Sequence, residues 1–548
     1  MKPAEKPALK FDDVLLMVGG SGRWQLYKIL WFSKCSLILC FFMMAMIFLG
    51  AVPEHRCADG YGSDVTFADL PADAVSCPAD NGTCARWVYD RSDLGNTMVT
   101  EWDLVCERKP LLALVQSLSM VGGLAGALLT GTLSDRFGRR PAALAGYLLF
   151  TVTALVTSLV RDYRLLLAVR FLCGMGSSFS LSPTVVLILE ILTPEWRLLV
   201  GMLIQVPFAL GLMLISGLAY LLPTWWHLQL ALAAPTLLFA GDIWLMPESP
   251  RWLVANGRLK EAAQLLRQIA LGNGAALPTD ERLMEMLIEV KGTETDGEKQ
   301  LVGTEPTGVC TRVLGGLWQL VRTPRMRLYT LITYACWLAS GVSYFGISFD
   351  IGQLSSSRYV ANCLSGLVEV PACILPWLMA TQWGRRPTVC LLFLLTTVAI
   401  LPTIASADVR LRLPLGLLGK FAVTAAFALL YIYTPEYVPT TLRTIGLGAA
   451  SVSARIGSTV APFVIDVATD LHPSMPAVIF GLLTLMAGIM ALLLPETAGR
   501  RLPQTAAEVE LGVWRSERAA RGEKLTDLCP RLKSGNRQQA QGQAENKC

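Results

Sequence analysis

Among the ionisable side chains inside the long apolar runs of this sequence are Lys34, Arg170, Glu369, Lys420 and Arg455. A charge at such a position is costly, so each must meet a partner, a water-filled cavity or a ligand. Arg455, in "SVSARIGS", presents a planar fork of N–H donors that can take a carboxylate through two parallel hydrogen bonds. Glu369, in "LVEVPA", can hold an ammonium. The competing reading is that Arg455 and Glu369 pair with each other or with other intramembrane charges. Lys420 and Arg170 read as structural partners or helix braces, and Lys34 either snorkels to water or reaches a cavity.

A second set of charges sits in short turns. "LSDRFGRRP" (Leu133–Pro141) combines Asp135, Arg139 and Arg140 with a glycine and a proline, and "TQWGRRP" (Thr381–Pro387) repeats it with Arg385 and Arg386 but without the acid.

The elements that must position these residues are membrane spans. Of 548 residues, 53% are hydrophobic and 16% charged, with mean hydropathy +0.48 and net charge +5. The apolar residues come in runs of roughly 20 to 25, the length of helix that crosses a bilayer. They are Trp24–Ala51, Leu111–Leu133, Ala142–Val160, Leu165–Leu192, Leu198–Leu221 and His227–Met246, then Leu328–Asp350, Tyr359–Ala380, Thr388–Ala405, Leu413–Tyr433, Leu442–Val467 and Met475–Leu494. The reading is an all-α integral membrane protein with twelve transmembrane helices. Its regions are a cytoplasmic N-terminus (1–23), an N-terminal six-helix bundle (24–246), a cytoplasmic linker (247–327), a C-terminal bundle (328–494) and a polar tail (495–548), expected to be largely disordered.

The first 23 residues lack the core of a signal peptide, so the first span is expected to act as insertion signal. Seven Lys/Arg in one set of short loops against four in the other place both termini in the cytoplasm. The large loop 52–109 is then extracellular. Cys57, Cys77, Cys84 and Cys106 within it suggest two disulfides among three possible pairings, and Asn81-Gly82-Thr83 is a glycosylation sequon. In the linker, Arg258–Ile269 has the periodicity of a surface helix.

Three signatures recur in order. Gly138-Arg139-Arg140-Pro141 returns at Gly384, Thr193-Pro194-Glu195 at Thr434-Pro435-Glu436, and Pro247-Glu248-Ser249 at Pro495-Glu496-Thr497, at offsets of 246, 241 and 248 residues. An even number of spans separates the copies, so the halves share one orientation and form a parallel repeat about an axis normal to the membrane. That is the architecture of the major facilitator superfamily.

"VPEHRC" (Val52–Cys57), "VTEWDLVCERK" (Val99–Lys109), "LSDRFGRRP", "MPESPRWLVANGR" (Met246–Arg258), "LVEVPA", "GKFAVTAAFALLYIYTPEYVPTTLR" (Gly419–Arg443) and "LLPETAGRRLP" (Leu493–Pro503) resemble the organic cation, anion and carnitine transporter family, solute carrier family 22. The resemblance covers the chain from about Phe11 to Pro503 and implies gradient-driven alternating access. It puts Arg455 where anion and carnitine members have arginine, and Glu369 at an acidic position of cation and carnitine members. Cys373 stands where anion members carry a lysine. It also assigns Trp337 and Tyr344, two helical turns apart, to the cavity wall. Gating charges by resemblance are Asp135, Arg139, Arg140, Glu195, Arg197, Glu248, Arg251, Arg385, Arg386, Glu436, Arg443 and Glu496, with Glu436 and Glu496 the expected partners of the acid-free second turn. Gly131 is expected to allow close approach of a neighbouring helix.

One cation and one anion at mid-membrane would suit a zwitterion such as a carnitine-like or betaine compound, with organic anion transport as the alternative. A transport-dead receptor using the outer loop is the alternative of another class. No G-x-x-x-x-G-K-[ST] occurs, so nucleotide hydrolysis is not the energy source, and no nucleophile constellation supports an enzyme. Nothing calls for a cofactor, a metal or a nucleic acid. The expected partners are a small organic ion and the lipid bilayer, most simply the plasma membrane, with any coupling ion and the oligomeric state left open.

Overall fold

The computed structural model describes residues 9 and 11–511 except 10, 60, 63–64, 72–83, 85, 93–94, 302–308, 356, 405–407, 440–441, 501–502 and 504–505. Cys77, Asn81 and the tail beyond Leu511 therefore lie outside the described residues.

Among the described residues, eleven helices are long and apolar enough to cross a membrane: α1 (Arg23–Leu49), α2 (Cys106–Phe137), α3 (Arg139–Leu159), α4 (Tyr163–Glu190), α5 (Pro194–Leu221), α6 (Trp225–Leu245), α7 (Pro324–Asp350), α8 (Arg358–Trp383), α9 (Arg385–Thr403), α10 (Arg410–Tyr437) and α11 (Ile445–Leu471). A shorter apolar helix, α12 (Met475–Ala491), completes the set.

Local chemistry sets several ends. Asp162 accepts hydrogen bonds from the Arg164 and Leu165 amides at the start of α4, and Asp408 does so from Arg410 before α10. Between α2 and α3 the chain turns through Gly138 at φ 108°, and between α8 and α9 through Gly384 at φ 100°, a region only glycine enters freely. Within the bundles small residues carry the contacts. Gly122 and Gly174 bring the α2 and α4 backbones together, and Gly341 and Gly457 do the same for α7 and α11.

Lys34 neither snorkels nor reaches a cavity. Its ammonium is 2.7 Å from Asp242 on α6, whose side chain is fully buried and also accepts the Trp31 indole N–H at 2.6 Å.

Between α1 and α2, strands β1 (His55–Cys57) and β2 (Trp87–Tyr89) pair antiparallel, with His55 opposite Tyr89. A Cys57–Cys84 disulfide ties this ribbon, and Cys106 is also disulfide-bonded. Tyr89, Val99, Leu104 and Val105 form a small core beneath it. Burial and the Asp103 carboxylate, 2.8 Å from its hydroxyl, raise the Tyr89 phenol above its ordinary range.

On the opposite face, helices Leu259–Asn273 and Asp280–Leu301 pack with helix Phe11–Met17 around Leu15, Leu253, Leu266 and Leu287. Composition made the N-terminal stretch look merely polar. Its Phe11, Val14, Leu15 and Val18 nevertheless form one buried face, and Asp12 bonds both Arg197 and Arg251, at 2.6 and 2.7 Å.

The halves meet along two seams, α2 against α11 and α5 against α8. Along the first seam, starting from the Lys109 end, lie Lys109–Asp470 at 2.6 Å and Ser117 donating to the Thr459 carbonyl at 2.7 Å, and next to it Arg455 of α11 donates to Ser178 of α4 at 3.3 Å. The second carries Asn362 on the Leu212 carbonyl and on Ser216. Near the other end of the first seam, Gly131 of α2 and Gly448 of α11 have nothing within 4 Å of where a side chain would start. Gly131 therefore faces open space instead of a packed neighbour.

Candidate functional site

Mid-membrane, helices α1, α2, α4, α7, α10 and α11 enclose a cavity of about 150 Å³. Its walls bring Phe42, Met43 and Met120 of the first half against Phe345, Phe427 and Tyr431 of the second, with Ser119, Ser177, Ser178, Ser451 and Ser458 between them. Two guanidinium groups enter it from opposite halves, Arg170 on α4 and Arg455 on α11. Gly123 on α2 admits Arg455: a methyl group there would stand 3.3 Å from its Nη1.

Among the described residues, neither arginine has a carboxylate partner. Arg455 donates from Nη1 to Ser178, and its buried Nε has no partner among the described residues. Arg170 is 1% exposed, reaches only the Met46 sulfur at 2.9 Å, and also leaves Nε unpaired. An unpaired buried guanidinium is costly, and an incoming anion would relieve that cost. Arg170 is thus part of the cavity wall, where the sequence suggested only a brace.

Glu369 is already committed. Lys420 on α10 lies 2.8 Å from it, with both side chains buried. The Tyr344 hydroxyl donates to the same carboxylate at 2.9 Å, and Lys420 also donates to Ser348 and stands 3.3 Å from the Tyr344 ring centre. This four-residue network sits behind the cavity and does not line it. Trp337 is likewise outside the lining. It is fully buried in the second half, with its indole N–H on Thr434 at 3.0 Å. Of the four residues expected to contact substrate, Arg455 alone lines this cavity. The aromatic wall comes instead from Phe345, one residue past Tyr344 and so rotated by about 100° on the helix, and from Phe427 and Tyr431 at i,i+4 on α10. That last spacing, in "FALLY", was available as a sequence signal.

The repeated turns form one device built twice. In the first half, the Glu248 carboxylate accepts from the Arg139 and Arg140 amides at 2.8 and 3.3 Å, capping the N-terminus of α3. The Arg139 side chain reaches Glu190 at 3.1 Å and the Ser134 carbonyl at 3.2 Å. In the second half, Glu496 accepts from the Arg385 and Arg386 amides at 3.0 and 3.1 Å, and Arg385 reaches Glu436 at 3.2 Å and the Ala380 carbonyl at 3.2 Å. A side chain at Gly138 or Gly384 would run into the capping carboxylate, which is why the turn and the Pro-Glu signature recur together.

The counterpart of Glu436 is thus Glu190, and not Glu195, which is exposed at the start of α5. The Thr-Pro-Glu match misled because the two copies differ by five residues in where they place the acid. Arg140 donates to the Ile243 carbonyl at 2.7 Å, Arg443 keeps Nε and Nη2 buried and unpaired, and Asp135 holds Arg139 at 3.1 Å while its own side chain is 76% exposed.

The profile of the family described as "Sugar (and other) transporter" matches residues 78–508. The chain is 31% identical over 530 residues to the "Organic cation transporter protein" of Drosophila melanogaster, covering 91% of this chain and 94% of that one. It is 32% identical over 528 residues to "Solute carrier family 22 member 6" of Mus musculus, covering 92% and 94%. It is 31% identical over 527 residues to "Organic anion transporter 3" of Sus scrofa, again covering 92% and 94%. Among solved structures, the inward-open xylose transporter XylE from E. coli superposes with TM-score 0.62 at 16% identity, covering 90% of this chain and all of that one, which speaks to the fold alone. The chain belongs to the organic cation and organic anion transporter family, solute carrier family 22, and has the twelve-helix fold of the major facilitator superfamily.

Proposed function

We propose that this membrane transporter carries organic anions, its substrate being a carboxylate on a flat apolar body. The observation that supports this most is Arg455, unpaired at Nε and lining the cavity beside an equally unpaired Arg170. With Glu369 neutralised by Lys420, the cavity has an excess of two positive charges and no free carboxylate among its lining residues. Phe345, Phe427 and Tyr431 supply faces for an aromatic body, and the serines and methionines adapt to differing shapes.

The zwitterion reading is second. Its ammonium would have to rest on those aromatic faces alone. An inward-moving anion is opposed by an inside-negative potential at about 2.3 kcal/mol per charge per 100 mV, so uptake calls for exchange against another anion or entry with a cation. We place the protein in the plasma membrane with both termini cytoplasmic, in line with the loop charges.

In expressing cells supplied with labelled benzoate-type carboxylate, carnitine and tetraethylammonium, the carboxylate is taken up fastest and tetraethylammonium not at all. Tetraethylammonium uptake without carboxylate uptake would refute the proposal. Absence of all three despite surface expression would favour the receptor alternative.

The cytoplasmic motif charges act in this reading as the inner latch. Asp135, the acid that only the first turn keeps, holds Arg139 with its own side chain 76% exposed, and in this reading exchanges that pair for the N-terminal end of α11 when the inner side closes. Asp135→Asn is expected to shift the population toward inward-open by about two- to fivefold, the worth of one helix-end charge. Gln382→Ala, at the acid-free copy, leaves it unchanged. Cysteine accessibility at Gly448→Cys reads this balance, and equal effects of the two substitutions would remove the asymmetry.

A further inference from the structure

Helix Val309–Arg322 ends two residues before α7 begins at Pro324, so it lies at the inner surface of the membrane. Its packed face is settled: Leu320 is 1% exposed in the core of the second half, and Gly316 lies against Ile445 in the first turn of α11. The opposite face is not covered by any described residue. Trp318 is 64% exposed and Arg322, one turn on, is exposed beside it. Leaving an indole in water forgoes burial of a large apolar surface, whereas tryptophan is at home among lipid headgroups.

Exposed residues continue onto α7. Arg325 is followed at i+3 by Leu328 and Arg327 at i+4 by Leu331, so the two arginines flank a leucine pair from either side of the helix, and these leucines are 45% and 56% exposed at the start of an apolar span, where acyl chains cover them. Arg325 and Arg327 therefore project at headgroup level directly above lipid-covered side chains. Three exposed arginines thus fall within six residues of the chain. The nearest described carboxylate contact is Glu510, which accepts from the Arg325 backbone amide at 3.1 Å.

We propose that Trp318, Arg322, Arg325 and Arg327 form a binding site for an anionic phospholipid of the inner leaflet. The arginines take the phosphate and the acidic headgroup, and the indole lies at the level of the glycerol. Because this helix rests on Ile445, at the foot of the helix that carries Arg455, an occupied site braces α11 in the arrangement seen here.

The test uses full-length protein in phosphatidylcholine nanodiscs with and without phosphatidylserine, with retained lipid counted by native mass spectrometry after mild detergent release. Retention of phosphatidylserine over phosphatidylcholine is expected. It should fall roughly fivefold for each arginine replaced by glutamine and on the order of a hundredfold for Arg322→Gln/Arg325→Gln/Arg327→Gln, while the triple lysine variant keeps most of it. Retention by the wild type should also fall as ionic strength rises, which holds the test open if the glutamine variant does not fold. Equal retention of the two lipids, salt-independent retention, or undiminished retention by a folded triple glutamine variant would overturn the site.

Discussion

Arg455→Asp is expected to abolish carboxylate uptake at unchanged surface expression. The loss is large because three effects share one sign. The bidentate hydrogen bonds to the substrate vanish, an anion replaces a cation beside the carboxylate, and the cavity's excess of two positive charges falls to zero. Truncating one partner of a buried charge pair typically costs about 2–5 kcal/mol, or roughly thirty- to several-thousandfold in affinity, before any repulsion is counted. Arg455→Lys retains part of the binding, since an ammonium keeps the charge but not the planar fork. The neighbours make the change a clean probe: Ser178 is the one described side chain Arg455 donates to, so no internal ion pair breaks with it. Unchanged selectivity between carboxylates and cations in Arg455→Asp would remove this residue from the substrate site.

The second large effect is expected at Lys420. Lys420→Met strands the Glu369 carboxylate in a fully buried position, with only the Tyr344 hydroxyl left to it. Breaking one side of a buried pair costs on the order of 3–5 kcal/mol, enough to empty the cell surface of a marginally stable protein. Lys420→Met/Glu369→Gln removes both charges and is expected to recover most of the stability, measured as melting of the purified protein in nanodiscs. Carboxylate uptake should return with it. If the double variant kept carboxylate uptake but had lost a carnitine uptake present in the wild type, Glu369 would be holding an ammonium, and the zwitterion reading would regain its place.

These two residues also mark where the sequence was legible and where it was not. Spans, repeat and family were readable because each rests on many residues: an apolar run must be about twenty long to cross a bilayer, and three ordered signatures outweigh one. Arg455 was readable for the same reason that it matters, as a charge placed where a charge is costly. Its neighbours were not, because a cavity wall depends on helix rotation. Tyr344 and Phe345 are adjacent in the chain, yet one faces Glu369 and the other the cavity. Whether an intramembrane charge is free or paired depends on another helix altogether, and Lys420 lies 51 residues from Glu369. The same limit applied to the latch. The Thr-Pro-Glu echo pointed to Glu195, whereas the bond to Arg139 is made by Glu190, at the offset of 246 that the Gly-Arg-Arg-Pro turn itself shows.

The central claim is that the free guanidinium of Arg455 selects a carboxylate. The most direct measurement is equilibrium binding of an aromatic monocarboxylate and of its uncharged primary amide to the purified wild-type protein, by titration calorimetry. The two ligands share shape and apolar area and differ in charge. The carboxylate is expected to bind at least thirtyfold more tightly than the amide, with the difference gone in Arg455→Ala. Equal affinity for acid and amide in the wild type, or a preference that survives in Arg455→Ala, would contradict it.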